Sequence, residues 1–306
     1  MGGFGASEDT ENCGIARSGI IQKVPNAPIM PVDARRLIRK MRGGAQAHLV
    51  EANDGGCYVV KFLNNPQHRR ILVNEWLGAA FLSYLGIATP EPAIVRVGEE
   101  FLKENPEVHI QLGSRRVPVE AGWHFGSRFP GDPARVVVYD FLPDTLLDKV
   151  ENLCDFRGAL AFDKWTGNAD SRQAIFFRAR VREWLPGSGG NAERLGFVAH
   201  MMDHGYLFEG PHWRLPDSQL YGVYFRPSVY RDVRGLDGFQ PWLDRIVHFP
   251  EEVVDQAVKQ IPAAWLDGDE GALAELLDRL MARRKRVPDL IEASRGAKSN
   301  PFGNWR

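Results

Sequence analysis

The chain has 306 residues, with 38 Lys+Arg against 39 Asp+Glu and a net charge of −1. That balance excludes bulk electrostatic binding to nucleic acid or to a membrane surface. An apolar fraction of 44% excludes wholesale disorder, and no run approaches the ~18 apolar residues of a membrane span. Cys13, Cys57 and Cys154 are odd in number and form no CxxC pair, which reads as reduced thiols in a cytoplasmic protein.

In chain order, residues 1–30 read as a flexible leader without the basic start or apolar run of a targeting signal. Segment 34–42 runs into a glycine loop, Gly43-Gly44-Ala45-Gln46. Two β-like runs follow, 47–52 and 57–62, around an Asn53-Asp54-Gly55-Gly56 turn, a hairpin pattern. From Gln67 to Leu85 apolar residues recur at helical spacing and Gly86 closes the helix. Strands are expected at 93–97 and 135–141, with an irregular Gly/Pro-containing stretch between them. Helices follow at 144–150 and 151–166. A strand pair is expected at 174–182 and 195–203, around a Gly-rich loop at 186–191. Residues 241–296 read as helical with breaks at Pro250, Pro262 and Pro288, and Arg283–Arg286 as a solvated face. The expected class is α+β in two parts, a β-rich N-lobe (31–143) and a mainly helical C-lobe (144–296), with a tail at 297–306.

Three places carry chemistry. Lys61 closes a strand, and Glu75 lies 14 residues on in the next helix. A strand lysine and a helix carboxylate so placed can pair and hold the lysine against nucleotide phosphates. Upstream, Gly43 and Gly44 lack Cβ, so backbone N–H groups there could approach phosphate oxygens. Asp170, on a Gly/Asn loop between a helix and a strand, could act as base or orienter for an attacking hydroxyl. Asp203, followed one residue later by Gly205 at the end of an apolar strand, offers the hard carboxylate that suits Mg²⁺. The same stretch permits a zinc reading, because His200, Asp203 and His204 form H-x-x-D-H. In a strand, however, His200 and His204 would lie ~13 Å apart.

In this order the motifs resemble those of the HipA-like kinases. Gly44-Ala45-Gln46 is similar to that family's glycine loop, Val60-Lys61-Phe62 to its ATP-lysine strand, and Asn74-Glu75-Trp76 to the Asn-Glu of its helix. Gly167-Asn168-Ala169-Asp170 is similar to its catalytic loop, and Met202-Asp203-His204-Gly205 to its metal-binding aspartate. The resemblance implies a two-lobed protein-kinase-like fold and phosphoryl transfer from ATP with Mg²⁺, to Ser/Thr of a protein or to a small molecule. Lys61, Glu75 and Asp170 would be catalytic. Nucleotide would meet Gly43, Gly44, Ala45, Gln46 and Lys61, with Tyr139, Asp140, Phe141 and Leu142 joining the lobes at the adenine. An antitoxin-like partner is in keeping with the family, and no membrane or direct nucleic-acid contact is expected. Two positions depart from the pattern: Arg172 stands where the family carries His, and Ile175 where it carries the Asn that is the second metal ligand. Gln173 is the nearest substitute ligand. The departure leaves open a catalytically inactive nucleotide-binding or interaction module.

Overall fold

Short β-branched runs separated by Asx/Gly turns build a closed barrel at the start of the computed structural model, which describes residues 30–185, 193–297 and 300–306. Most of the expected leader and the Gly-rich loop at 186–191 lie outside the described residues. The strands are β1 (Val32–Lys40), β2 (His48–Ala52), β3 (Cys57–Lys61), β4 (Pro92–Val97), β5 (His109–Leu112), β6 (Arg115–Pro118) and β7 (Gly122–Arg128). The barrel order is β1-β2-β3-β7-β4, closed by parallel pairing of β1 with β4 at Val32↔Val95. β5 and β6 form a separate hairpin. Side chains alternate with period two. Val50, Tyr58, Val60, Phe62, Ala93 and Val95 share one buried cluster, so Lys61 faces the other way. The expected hairpin at 53–56 is present: Gly55 takes φ 76° and the Tyr58 hydroxyl donates to Asp54 Oδ2 at 2.7 Å.

Helix α1 (Arg70–Leu85) follows, three residues later in its start than the periodicity places it, and Gly86 ends it in a left-handed cap at φ 74°. It is buried nearly all round, as befits an interior helix. Leu72, Trp76, Phe81 and Leu85 join the main core with later helices. The Trp76 indole N–H donates to Ala257 O at 2.9 Å. After α2 (Glu99–Glu104) and the barrel come β8 (Val138–Tyr139), α3 (Asp144–Leu147), α4 (Asp155–Thr166), β9 (Gln173–Arg180), α5 (Val181–Trp184) and β10 (Leu195–Met202). Strands β10-β9-β8 form a second sheet, in register from Leu195↔Arg180 to Met202↔Gln173. The chain ends in α6 (Trp242–Val247), α7 (Glu251–Lys259), α8 (Ala263–Leu266), α9 (Glu270–Arg283) and α10 (Val287–Ala293). Pro250 and Pro262 sit at helix N-caps, as breaks should, while Pro288 lies within the first turn of α10. No helix among the described residues is long and apolar enough to cross a membrane.

The α+β class holds, and the differences are local. The stretch expected to be irregular contains β5, β6 and β7. In β7, His124, Phe125 and Gly126 are buried in succession, so no polar/apolar alternation marks the strand. Gly126 is required there because a Cβ would lie 2.6 Å from Val95 Cγ2. The strand expected at 135–141 shrinks to two residues, and the strand expected to reach 182 turns into α5 at Val181. Arg283 is not solvated: it is buried and donates to Leu215 O and Asp217 Oδ1, each at 2.8 Å. Cys57 is a free thiol, and Cys13 lies outside the described residues.

Candidate functional site

β3 delivers Lys61 to the outside of the barrel, where α1 passes. Its ammonium donates to Glu75 Oε1 and, at 2.8 Å, to Asp203 Oδ1. Three charged groups spread over 142 residues of chain thus meet. Side-chain exposure is 11% for Lys61, 2% for Glu75 and 33% for Asp203, so the cluster is closed except on the Asp203 side. Burial disfavours the Lys61 ammonium, but Asp203 and then Glu75 more than offset it, and Lys61 titrates above an ordinary lysine. Burial raises the Glu75 pKa against the pull of Lys61. Lys61 holds the Asp203 carboxyl below the usual carboxylate range.

Asp203 stands directly after β10 with φ 58°, a left-handed conformation that a non-glycine residue keeps only when its surroundings fix it. Gly205 lets the following loop lie against α1, since a Cβ would be 2.7 Å from Ile71 Cγ2. Arg172 secures the other side. Its guanidinium pairs with Asp163 through both oxygens, donates to Met202 O at 3.0 Å and reaches His204 Nδ1 at 3.0 Å. Burial, then Arg172, depress the His204 pKa well below its ordinary value. A neutral His204 that accepts at Nδ1 carries its proton on Nε2 and donates to Thr89 Oγ1 at 3.0 Å. The Thr89 hydroxyl in turn donates to Met201 O at 2.9 Å. Arg172 therefore stands at the departure position as a brace between the Asp170 loop and the Asp203 turn.

α4 ends at Gly167 in a left-handed cap with φ 63°, and Asn168 folds back so that its amide donates to Asp163 Oδ1 at 3.1 Å. The loop is tied to the far segment by Ala169 N–H to Tyr206 O at 2.9 Å and by Gly222 N–H to Asp170 O at 3.2 Å. Asp170 is half-buried. Gln173, exposed at the start of β9, donates from Nε2 to Asp170 Oδ2 at 3.3 Å. It pairs with Met202 across the ladder, one residue from Asp203. Ile175 is a buried strand residue with no metal-binding atom.

The glycine loop joins β1 to β2. Gly43 takes φ 117° and has open space where a Cβ would project. Gln46 is occupied elsewhere: its amide donates to Gln111 O at 2.7 Å and accepts from Gln111 N–H at 2.8 Å, pinning the loop to β5. In the segment 139–142, Tyr139 and Phe141 are exposed and Leu142 is buried. Leu142 O accepts from Arg226 at 2.8 Å. The Arg226 guanidinium lies 4.6 Å from the Phe141 ring centroid.

The zinc reading has no ligand set. His200 packs edge-on against Phe177 and Trp184, whereas His204 is enclosed by Thr89 and Arg172. Among the described residues no three His, Cys, Asp or Glu gather to hold a metal. A single hard carboxylate, one-third exposed beside a lysine, instead fits Mg²⁺ carried by phosphates, which needs only one or two protein carboxylates. The sequence offers no bracing role for Arg172 or Asn74, and it offers His204 only as a zinc ligand. The only signal for Arg172 was its departure from the expected His.

Residues 35–175 match the sequence model of the HipA-like kinase family. The matched span includes Lys61, Glu75, Asp170 and Gln173 and ends before Asp203. No curated protein matches the chain. Among solved structures the chain is similar to the crystal structure of the Golgi casein kinase with Mn/ADP bound, at 12% identity and a TM-score of 0.43, covering 91% of this chain and 74% of that one. It is also similar to a second crystal structure of the Golgi casein kinase, at 14% identity and a TM-score of 0.43, covering 90% and 77%.

Proposed function

We propose, from the HipA-like kinase match over residues 35–175 and the meeting of Lys61, Glu75 and Asp203, that the chain transfers the γ-phosphoryl group of ATP to a hydroxyl, of Ser or Thr in a protein. The three-residue meeting carries the reading, because a salt-bridged lysine beside a carboxylate at a strained turn is the arrangement phosphoryl transfer needs. In this reading the β-rich part (31–143) and the helical part (144–296) are two lobes, with nucleotide between them. Gly43 and Gly44 leave backbone N–H groups open to phosphate, and Tyr139–Leu142 meets the adenine. Lys61 holds phosphate oxygens and Glu75 keeps it in place. Asp170 orients the acceptor hydroxyl. Asp203 would hold Mg²⁺, with the Gln173 amide oxygen as second ligand; bound Mg²⁺ neutralises charge on the phosphates.

The test is transfer of label from ATP in the presence of Mg²⁺ by wild type and Asp203→Asn. Losing the carboxylate should lower transfer ~10²–10³-fold or more with the fold intact, the scale of a lost electrostatic stabiliser. Wild-type transfer by a normally folded Asp203→Asn variant would remove Asp203 from the role. A second reading, a kinase fold that binds nucleotide without turnover, is favoured by Ile175. ATP binding by wild type with no transfer to any protein of a lysate would select it.

A further inference from the structure

The eleven residues from Asp203 to Trp213 contain four non-glycine residues in the left-handed region: Asp203 (φ 58°), Phe208 (φ 57°), Glu209 (φ 61°) and Trp213 (φ 52°). Such backbone persists only where surrounding contacts over-determine it. Four contacts to this segment come from one fully buried side chain of α1, Asn74. Its amide nitrogen lies 2.7 Å from Gly205 O, 3.1 Å from Leu207 O and 3.0 Å from Gly210 O, among which its two hydrogens are shared. Its oxygen accepts from the Trp213 indole N–H at 2.8 Å. The helix and the loop also touch where Gly78 lies, since a Cβ there would be 2.6 Å from His204 Cβ and 2.8 Å from Leu207 Cδ1.

We infer that Asn74 is a positioning residue that locks the Asp203 turn to α1, so that Glu75 and Asp203 are presented to Lys61 as one rigid unit. The inference rests on the proposed role of Asp203 and adds how that carboxylate is held. Asn74 precedes Glu75 in the same helical turn. Whatever moves the helix moves the loop, and the lysine pair and the carboxylate cannot separate by a swing of α1 alone. Loss of the clip releases the strained turn and lets Asp203 drift from its place.

The experiment measures Mn²⁺ binding by electron paramagnetic resonance with a non-hydrolysable ATP analogue, alongside thermal unfolding. Asn74→Ala should weaken Mn²⁺ binding about tenfold, the effect typical of removing a group that orients a ligand. Gly78→Ala, which pushes the loop off the helix without removing a polar group, should weaken it in the same direction. Trp76→Phe removes an equally buried hydrogen bond that α1 makes to Ala257 of α7. It should lower the unfolding temperature and leave Mn²⁺ affinity unchanged. Asp203→Asn should abolish the binding. If Asp203→Asn abolishes binding but Asn74→Ala and Gly78→Ala keep wild-type affinity, Asn74 is packing only and the inference falls while the role of Asp203 stands. If all variants lose affinity in proportion to stability, Trp76→Phe included, or if neither Asn74→Ala nor Gly78→Ala folds, the clip serves the core and the inference is overturned. Mn²⁺ binding that survives Asp203→Asn overturns both.

Discussion

Two buried charge clusters flank the turn at Asp203, and they differ in what they leave open. Lys61, Glu75 and Asp203 form one, with Asp203 one-third exposed. Asp163, Arg172 and His204 form the other, with the Arg172 and Asp163 side chains 1% and 0% exposed. The sealed cluster satisfies its polar atoms close by: Arg172 spends its donors on Asp163, Met202 O and His204, and His204 donates its Nε2–H to Thr89. The open cluster presents an ammonium and a carboxylate at a boundary a ligand can reach. Similar chemistry therefore serves as a brace in one place and as a candidate site in the other, and exposure of one member separates the two.

Removing one charged member from each cluster should break this comparison if it is wrong. Arg172→Met leaves Asp163 as an uncompensated buried charge and should cost ~3–5 kcal/mol. Asp203→Asn leaves Lys61 still paired with the buried Glu75 and alters only the member that water reaches, so it should cost no more than ~2 kcal/mol while abolishing phosphoryl transfer. Urea unfolding of both variants reads the contrast. Equal losses would mean that the two clusters are both structural.

The sharpest readings from sequence came where residue order alone carries meaning. The Asn53–Gly56 turn, the Gly86 end of α1 and the Lys61–Glu75 spacing are all local, and each lies where the pattern puts it, while α1 starts three residues late. Long-range closure is not local. Nothing in the sequence around Trp123–Gly126 announces a barrel strand, because both faces are buried and the glycine answers to Val95, 31 residues upstream by subtraction of the two positions. Arg172 was visible only as a missing His, since its partners Asp163, Met202 and His204 come together through the α4 cap and the β9–β10 register. The contact of Lys61 with Asp203 likewise spans 142 residues. Each aspartate could be singled out by its motif, but the bond to the lysine depends on the fold.

A pH titration sharpens the comparison with a buried polar group that carries no charge. His124 lies in the barrel, fully buried, with Nδ1 accepting from Leu63 N–H at 2.9 Å and Nε2 facing Glu120 O at 3.1 Å. Burial pushes its pKa down from 6.5 to about 4. The unfolded chain then takes up the proton first as pH falls. Stability is full above pH 6.5, declines below it and levels off only below the folded value. From one such histidine the loss between pH 7.5 and pH 5 is ~2 kcal/mol. His124→Gln should flatten that segment of the urea-unfolding profile whatever its effect at pH 7.5. An unchanged slope would show that other groups set the acid response.

The smallest effect is expected at the edge of the open cluster. Gln173 donates to Asp170 across 3.3 Å in an exposed position, so its packing contributes little and Gln173→Ala should leave the unfolding temperature nearly unchanged. Its neighbour across the ladder is Met202, which brings residue 173 beside the strand end that carries Asp203. The amide nitrogen is the atom turned to Asp170, and the amide oxygen remains to serve a metal. If it does, Gln173→Ala lowers activity a few-fold at low Mg²⁺ and less at saturating Mg²⁺, because added metal restores occupancy of a weakened site. If Gln173 acts only through Asp170, the loss is the same at every Mg²⁺ concentration. In that case the open cluster has a single protein ligand for metal, Asp203, and Gln173 belongs with the groups that orient the acceptor.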